Sequence, residues 1–453
     1  MNKDKALFRL EREKLLLTGE IPRLFMKYAL PGVAGLLFLG IQSVIDGIVL
    51  GRFVGANALA SVNLVLPCYS LISAFAIVMG TGGQTLVSIS LGRGDKQEAN
   101  NALRSVFVFL LGMSVVVSLV IFLSAGKIAS FLGANEVLLP DAVHIRALVP
   151  FFPLLCAMFF GDYIIKAMGH LLYATSVMGM TVVLNIVLDL VFVAVLGWGV
   201  MGAGLATGIA FTMGACFNVP RLFSRHEVVA VQRGRYDRRL VWNAFYNGSS
   251  EGMSELSVAI TVFLFNITMM RYLGESGVAA FTAINYILFI GTTVFLGISD
   301  GIIPIIGYNY GARKQERIKS ILKLAARTNS LIGIGLFLLL LLFGEQVIGL
   351  FFKDHGSEAF EIASRGVSIY CFAFLLCGLN ILASSYFTAI GNAKISIIIS
   401  ALRGLVFVGI GILVLPAVFG IDAIWYDVPI AEICTLSVSF WLVRRSLFNN
   451  RSN

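Results

Sequence analysis

Apolar stretches long enough to cross a lipid bilayer recur along the whole chain, and no other feature restricts the fold as strongly. A helix that spans the hydrocarbon core needs about 20 predominantly apolar residues. The sequence predicts twelve spans, numbered 1 to 12, at residues 24–50, 59–82, 103–126, 147–168, 175–196, 200–222, 246–270, 278–303, 325–348, 367–390, 395–419 and 424–443. The expected fold is therefore an all-α, polytopic membrane protein.

Composition agrees with this fold. Hydrophobic residues make up 58% of the 453 residues and charged residues only 13%, against about 45–50% and about 25% in soluble domains. The N-terminus has no short apolar core with a cleavage site, so we expect an amphipathic lead-in at the membrane surface instead of a signal peptide. All six cysteines fall in apolar spans without CxxC spacing, which predicts small core residues and not disulfides or metal ligands.

The basic residues are distributed unevenly between the predicted loops. If the N-terminus lies inside, the inner segments together with the adjoining ends of the spans hold 27 of the 34 lysines and arginines, and the outer segments hold six. Cytoplasmic loops of membrane proteins carry this excess. We therefore expect a multi-pass protein of the cell (inner, cytoplasmic) membrane with both termini in the cytoplasm. The net charge of +9 is interpreted as this topology signal and not as nucleic-acid binding, because the basic clusters fall between spans.

The chain also contains an internal repeat at an offset of 219 residues. "GRFVGANALA" corresponds to "MRYLGESGVA", and the inner loops "LGRGDKQE" and "YGARKQE" follow at equivalent places. The matching pairs are Arg52 with Arg271, Gly55 with Gly274, Ala60 with Ala279, Gly82 with Gly301 and Gly92 with Gly311. Six spans per repeat predict two six-helix bundles related by a pseudo-two-fold axis along the membrane normal. The predicted lobes are 1–222 and 241–453, with a cytoplasmic linker at 223–240.

Polar residues inside the first-half spans mark a candidate ion site. An acid at the centre of a span costs roughly 2.5–3.5 kcal/mol on insertion scales, so such acids are functional candidates by default. Asp46 lies in span 1, and Asn185 and Asp189 lie four residues apart on one face of span 5. Thr207 follows in span 6. These oxygen ligands suit a proton or sodium, whereas the alternative interpretation is that they hydrogen-bond the helices together.

The second half carries different acids, because the offset partner of Asp46 is Phe265. Glu251 and Glu255 lie on one face of span 7, and Asp300 follows in span 8. We expect Glu255 to attract a cationic substrate, with Glu251 and Asp300 as further substrate-binding candidates. Asp427 is predicted to begin span 12 near the outer surface.

Other function classes find little support. There is no GxxxxGK[ST] phosphate loop for an ATP-driven pump. An enzyme is not expected and no catalytic residue is proposed, because the four histidines fall in loops or helix ends without an HExxH motif. A channel or receptor on the same architecture stays possible on sequence grounds.

Several stretches resemble one known family over nearly the whole chain. "ALPGV" opens span 1, and "IDGIVLGRFVGANALASVNL", "SLGRGDKQEA", "LNIVLDLVFVAVLGWGVMGAGLAT" and "PIIGYNYGARKQERI" follow in order. In this order, within a doubled six-helix frame, they resemble the MATE (multidrug and toxic compound extrusion) transporters of bacteria and archaea. The resemblance implies a secondary active transporter that exports organic cations and drugs by antiport with H⁺ or Na⁺ through alternating access.

The resemblance also implies site residues. Motif by motif, the cation site falls on Asp46, Asn185, Asp189 and Thr207, which makes them possible Na⁺ ligands, and Pro31 matches a proline associated with bending of span 1. No cofactor is expected beyond the coupling ion. The expected partners are small amphipathic, cationic substrates and the lipid bilayer, with the monomer as the functional form. Two positions depart from the family pattern: "GHLLY" stands at the turn between spans 4 and 5, and Asp300 replaces a neutral residue. The alternative function is a flippase for a lipid-linked or other amphipathic precursor, which would need a basic cavity.

Overall fold

The computed structural model describes residues 15–132, 138–352 and 354–449, and within these ranges the chain is helical without a β-strand. The all-α prediction is confirmed. The described residues form twenty-one elements: Ile21–Phe53, Ala56–Gly92, Lys96–Phe131, Leu139–Val143, His144–Ala147, Val149–Phe151, Phe152–Ala167, Leu171–Asp189, Leu190–Val195, Gly199–Leu222, Val231–Arg233, Arg238–Gly311, Gln315–Gly349, Glu358–Tyr370, Cys371–Ala373, Phe374–Ala389, Ala393–Ala401, Leu402–Val406, Phe407–Phe419, Ile421–Tyr426 and Asp427–Asn449. Part of the predicted N-terminal lead-in, residues 1–14, lies outside the described residues.

Twelve membrane spans follow from these helices. Among the described residues, eleven helical segments are long and apolar enough to cross a bilayer. One of them, Arg238–Gly311, has 74 residues, about 111 Å at 1.5 Å per residue, whereas a crossing takes about 30 Å. Its only non-helical backbone is at Gly274, with φ 59° and ψ −150°, so it comprises spans 7 and 8. The predicted gap at 271–277 is therefore a kink at one glycine and not a loop.

The fifth span of each half contains a π-helical segment. Span 5 changes from α-helix to π-helix directly after Asp189, over Leu190–Val195. Span 11 does the same over Leu402–Val406, which includes Arg403. A π-segment widens the helix by one residue and is common at functional sites. The π-helical segment thus directly follows Asp189 in span 5 and contains Arg403 in span 11.

The described chain forms two compact units. The first comprises residues 34–248 together with the segment up to Gly19, and the second comprises 20–33 and 249–453. The division thus falls inside span 1, after Val33, and inside span 7, after Gly248. The predicted lobes, 1–222 and 241–453, differ from these units at both places. Each unit therefore contains a short helical segment from the other half of the sequence.

Glycines allow these segments to pack closely. In the first unit, a Cβ on Gly82 of span 2 would collide with the backbone of Ala244 at the start of span 7, and a Cβ on Gly248 would collide with that of Val78. In the second unit, Gly301 of span 8 lies against the backbone of Tyr28 in the same way. Helices in lipid associate largely through such small-residue contacts, because lipid tails are as apolar as the side chains. Gly82 and Gly301 are repeat partners, and each allows close contact with the backbone of another helix in its own unit.

The repeat is also visible in the backbone. Gly55 and Gly274, 219 residues apart, both have positive φ, at 117° and 59°. Gly94 and Arg313, also 219 apart, have φ of 82° and 59°. Arg313 is the only described residue other than glycine with positive φ, a conformation that costs a side chain roughly 1–2 kcal/mol. Both halves thus have positive φ at this turn, with glycine in the first half and arginine in the second.

The 223–240 linker is bound to the start of span 3. Asn100 Oδ1 accepts a hydrogen bond from the Ala230 N–H at 2.7 Å, and Asn101 Oδ1 accepts one from the Arg235 N–H at 2.7 Å. Ser105 Oγ accepts from the Asp237 N–H at 2.8 Å. A linker with three backbone donors fixed in this way is an ordered part of the first unit.

Candidate functional site

The first unit brings together the four polar residues predicted from spans 1, 5 and 6. Asn185 and Asp189 are 0% and 1% exposed, whereas Asp46 and Thr207 are half-buried. The carboxyl groups of Asp46 and Asp189 are close enough to share a proton. Without a proton or cation between them, both Asp189 oxygens are buried and accept no hydrogen bond from the described residues. Two adjacent buried carboxylates are unfavourable unless a positive charge joins them.

Asn185 connects the carboxylates to span 6. With its amide turned to suit Asp46 and Thr207, Asn185 donates to Asp46 Oδ1 at 3.0 Å and accepts from the hydroxyl and the backbone N–H of Thr207, both at 3.3 Å. In the opposite orientation the amide nitrogen lies 3.3 Å from Thr207 Oγ1 and the amide oxygen faces Asp46. The amide can therefore present either a donor or an acceptor to Asp46.

Gln42 is a further member of this cluster. It lies one helical turn before Asp46 on the same face of span 1, is 5% exposed, and its side-chain oxygen accepts no hydrogen bond among the described residues. The cluster therefore offers carboxylate, amide and hydroxyl oxygens in one place. This is a ligand set for a proton or a hard monovalent cation.

The acids of the second unit are also close together. Glu251 interacts electrostatically with both Asp300 and Glu255. Glu251 and Asp300 are half-buried, and Glu255 is exposed. The three acids thus form one acidic region of the second unit.

Phe265 occupies the repeat position of Asp46 and packs as a core residue. It is 0% exposed and stacks on Phe281, with ring centroids 4.6 Å apart. The second unit therefore has no copy of the first unit's carboxylate pair at this position, as the sequence indicated.

Arg403 forms a buried ion pair that the sequence did not identify. Its Nε lies 2.7 Å from Glu432 Oε1, and the other oxygen of Glu432 accepts from Asn380 Nδ2 at 2.7 Å. Ser439 Oγ in turn donates to Asn380 Oδ1 at 2.8 Å. Spans 10, 11 and 12 are thus joined by one network in which an arginine neutralises the acid.

Asp427 begins the last α-helix, as predicted, and its side chain is buried. It is 1% exposed, and its two oxygens accept no hydrogen bond among the described residues. A six-residue 3₁₀ turn, Ile421–Tyr426, precedes it, and the carboxyl group packs against Gly411 of span 11, where a Cβ would collide with it. Helix-start position alone therefore did not reveal its burial.

A chain of hydroxyl groups in the second unit was also missed. It links spans 7, 10 and 11 through distances of 2.7–3.1 Å between oxygens. Its members are Ser250, Ser254, Ser384, Thr388, Ser396 and Ser400. The signal was present in "ASSYFTAIGNAKISIIIS", where hydroxyl residues recur at helical spacing on both sides of a turn.

The unusual "GHLLY" turn has a local explanation. His170 Nε2 lies 2.8 Å from Glu227 Oε2, and Arg221 Nε lies 2.8 Å from Glu227 Oε1. Burial opposes ionisation of Glu227, but the hydrogen bonds and charges of His170 and Arg221 outweigh it and lower its pKa to about 2. His170 thus ties the turn between spans 4 and 5 to the linker.

Pro31 lies within the helix Ile21–Phe53 and is buried. It has no N–H to donate to the carbonyl four residues earlier, so the helix is weakened at this point. The boundary between the two units follows directly, between Val33 and Ala34.

Comparison with known proteins gives consistent results. A family model described as MatE matches residues 31–191 and again residues 252–413, once in each half of the repeat. The Multidrug export protein MepA of Staphylococcus aureus (strain MSSA476) is 22% identical over 439 residues, which cover 96% of this chain and 95% of MepA. MepA of Staphylococcus saprophyticus is similar to the same extent.

Solved structures show the same fold. A MATE transporter crystallised in the straight conformation matches with a TM-score of 0.91 at 23% identity, covering 97% of this chain and 99% of the other. A MOP superfamily transporter from Pyrococcus furiosus, described as having a binding pocket of reverse polarity that suggests a different function, matches with a TM-score of 0.89 at 23% identity, covering 96% and 98%.

Proposed function

This chain belongs to the MatE family of multidrug efflux transporters, and on that premise we propose that it exports organic cations by antiport with H⁺ or Na⁺. The observation that carries this proposal is the cluster of Asp46, Asn185, Asp189 and Thr207 in the first unit. Two carboxylates within proton-sharing distance, one of them 1% exposed, need a positive charge. A coupling ion would supply that charge while it is bound in one state of the cycle, and it would dissociate from the site in another state.

Energy favours a one-for-one exchange at this cluster. Export of a monovalent cation against 100 mV costs about 2.3 kcal/mol, and one entering H⁺ or Na⁺ returns the same electrical energy. The ion's own gradient then drives transport. A site that holds one cation or none meets this requirement, and the Asp46–Asp189 pair is suited to it.

Asn185 would distinguish the two ions. A shared proton leaves Asp46 an acceptor for the Asn185 amide N–H, at 3.0 Å. Sodium would instead need the amide oxygen turned towards Asp46, since sodium is bound by oxygen ligands. Thr207 can serve either orientation, because a hydroxyl group both donates and accepts.

We assign the negative region of Glu251, Glu255 and Asp300 to recognition of the cationic substrate. Alternating access would move the first unit between two states, with Pro31 as the place where span 1 bends. The monomer is proposed as the functional form, with both termini cytoplasmic. A flippase is not favoured, because its anionic pyrophosphate cargo needs a basic cavity and these three acids form the opposite.

Efflux of a fluorescent organic cation from proteoliposomes tests the proposal, with the pH gradient and the sodium gradient imposed separately. Asp46→Asn and Asp189→Asn should each reduce gradient-driven efflux at least tenfold. Asp95→Asn is the matched control, because Asp95 is an exposed helix cap and asparagine caps helices equally well. Concentrative export with normal ion dependence in both cluster variants would place the coupling site elsewhere.

A further inference from the structure

An apolar groove of about 900 Å³ runs along the second unit between spans 9, 10 and 12. Span 10 forms its floor, because it packs against both span 9 and span 12. Each helix contributes residues at spacings of three or four, which lie on one helical face. On the floor these are Leu379, Leu382, Ala383 and Tyr386. This feature, which we name the basic-rimmed groove, is separate from the acids of the same unit.

One end of the groove is basic. Lys319, Lys323 and Arg327 follow one another at intervals of four on span 9, and Arg444 stands on span 12. Lys319 pairs with Glu316 at 2.7 Å. Lys323 and Arg327 are exposed, and no ion pair joins either of them to another described residue. Two cationic heads are therefore available at this rim.

The rest of the groove is mainly aliphatic and aromatic, with two serines in its lining. Leu331 continues the basic row on span 9, and Leu436, Phe440 and Val443 line the wall on span 12. From Arg444 back to Leu436 the groove extends eight residues, about 12 Å along the helix. Half the hydrocarbon core of a bilayer is about 15 Å thick. The apolar part thus matches the depth of one leaflet.

We propose that the basic-rimmed groove binds an anionic phospholipid of the cytoplasmic leaflet, with its phosphate at Lys323 and Arg327 and an acyl chain against the floor. The basic end is the start of span 9 and the end of span 12, which the charge distribution predicts to be cytoplasmic. That leaflet carries the anionic lipids, and basic grooves between helices on this side bind their head groups. The lysine and arginine stems add apolar contact while their charges stay at the interface.

Charge favours this occupant over the other candidates. The groove is too apolar for free phosphate, which would leave most of the lining uncovered. A second copy of the chain would bring its own basic rim against Lys323 and Arg327 in a two-fold contact, and like charges in contact are unfavourable. An acyl chain with a phosphate head satisfies both ends of the groove.

Native mass spectrometry of the full chain tests the proposal, with the protein purified in detergent containing equal amounts of phosphatidylglycerol and phosphatidylcholine. The wild type should retain one phosphatidylglycerol molecule in preference to phosphatidylcholine. One basic residue near an anionic leaflet contributes about 1 kcal/mol to binding, which is about fivefold in affinity. K323Q/R327Q removes two of them and should therefore lower the preference for phosphatidylglycerol roughly 25-fold. The control K394Q/R445Q removes the same charge from the same unit, outside the groove lining, and should leave the preference unchanged.

A third variant tests the apolar part. Ala326 lines the groove and is half-buried, so Ala326→Trp should fill it and reduce lipid retention while all charges remain. The proposal would be overturned if K323Q/R327Q preferred phosphatidylglycerol as strongly as wild type does. It would also be overturned if the control K394Q/R445Q lost as much of that preference as K323Q/R327Q. Displacement of the lipid by inorganic phosphate alone, or a dimer that excludes phosphatidylglycerol, would assign the groove to a different occupant. None of these readouts depends on transport.

Discussion

The carboxyl group of Asp46 in span 1 lies within proton-sharing distance of that of Asp189 in span 5. The two residues are 143 positions apart in the sequence, yet together they define one charge site. A site of this kind behaves as a unit, because each carboxylate determines whether the other needs a cation. The following predictions start from this relationship and from the ion pairs elsewhere in the chain.

The two carboxylates should not contribute additively. We expect Asp46→Asn, Asp189→Asn and the double variant to lose gradient-driven efflux to the same extent, within about threefold, since groups that act as a unit are strongly non-additive. Initial efflux rates in proteoliposomes at equal protein density measure this. If the double variant loses the product of the two single effects, the carboxylates act independently.

Glu227 should make stability depend on pH below its ordinary titration range. Its pKa is lowered from 4.5 to about 2 by His170 and Arg221, against the effect of burial. A lowered pKa in the folded state adds stability above pH 4.5, about 3 kcal/mol here, and this stability is lost as pH falls from 4.5 to about 2.

Glu227→Gln tests this prediction by unfolding in detergent micelles at neutral pH and near pH 2. The variant should be less stable than wild type at neutral pH, and the difference should vanish near pH 2. Glu98→Gln is the control, because Glu98 only forms an exposed pair with Arg93 at 3.8 Å, and such pairs contribute about 0–1 kcal/mol. A constant difference at both pH values would mean that Glu227 acts by packing alone.

The Arg403–Glu432 pair should be sensitive to removal of one partner. Arg403→Met leaves Glu432 buried and charged without its counter-ion, which costs about 3–5 kcal/mol, whereas Arg403→Met with Glu432→Leu should recover most of that loss. Thermal unfolding of the single and double variants measures both effects. A double variant as unstable as the single would show that the network acts through Asn380 and not through charge.

Topology can be tested by cysteine labelling from outside intact cells. His226 is exposed in the linker and Glu275 is exposed after the Gly274 kink, on the side predicted to be external. Glu275→Cys should react with a membrane-impermeant maleimide and His226→Cys should not, in a background without the six native cysteines. Labelling of position 226 alone would reverse the predicted orientation.

Glu255 should discriminate substrates by charge. Glu255→Gln removes one negative charge from the region shared with Glu251 and Asp300, so transport of cations should fall several-fold while neutral analogues of the same size change little. The apparent KM for each substrate is the measured quantity. Glu275→Gln, an exposed acid of the same unit, is the control, and equal loss for cationic and neutral substrates would make Glu255 structural.

The local pattern of apolar and polar residues predicted much of the fold. Apolar windows gave the twelve spans, because every crossing must satisfy its backbone within one helix. The four-residue spacing of Asn185 and Asp189 placed them on one face, and the cost of a polar group in lipid marked Asp46 and Thr207 as further candidates. The resemblance to the MATE family implied that all four belong to one cation site. These features depend on neighbours in the sequence or on the cost of a polar group in lipid.

Contacts between residues distant in the sequence could not be predicted from local patterns. Nothing local to Arg403 indicates that Glu432 neutralises it, and nothing in the linker predicts that Asn100 binds the Ala230 backbone. Gly274 was expected in a loop because it falls between the predicted spans 246–270 and 278–303, but one residue with positive φ was enough to turn the chain. The side chain of Asp427 packs against Gly411 of span 11, a contact between distant residues that hydropathy does not detect.

The segments exchanged between the halves have a consequence for biosynthesis. The first unit is incomplete until residue 248 has left the ribosome, because Gly82 of span 2 packs against the backbone of Ala244, and Gly248 packs against that of Val78. The second unit, conversely, uses Tyr28, one of the first residues inserted. Two polypeptides cut within 223–240 would therefore each lack a structural piece, and co-expression of both fragments should be necessary before either resists proteolysis in the membrane.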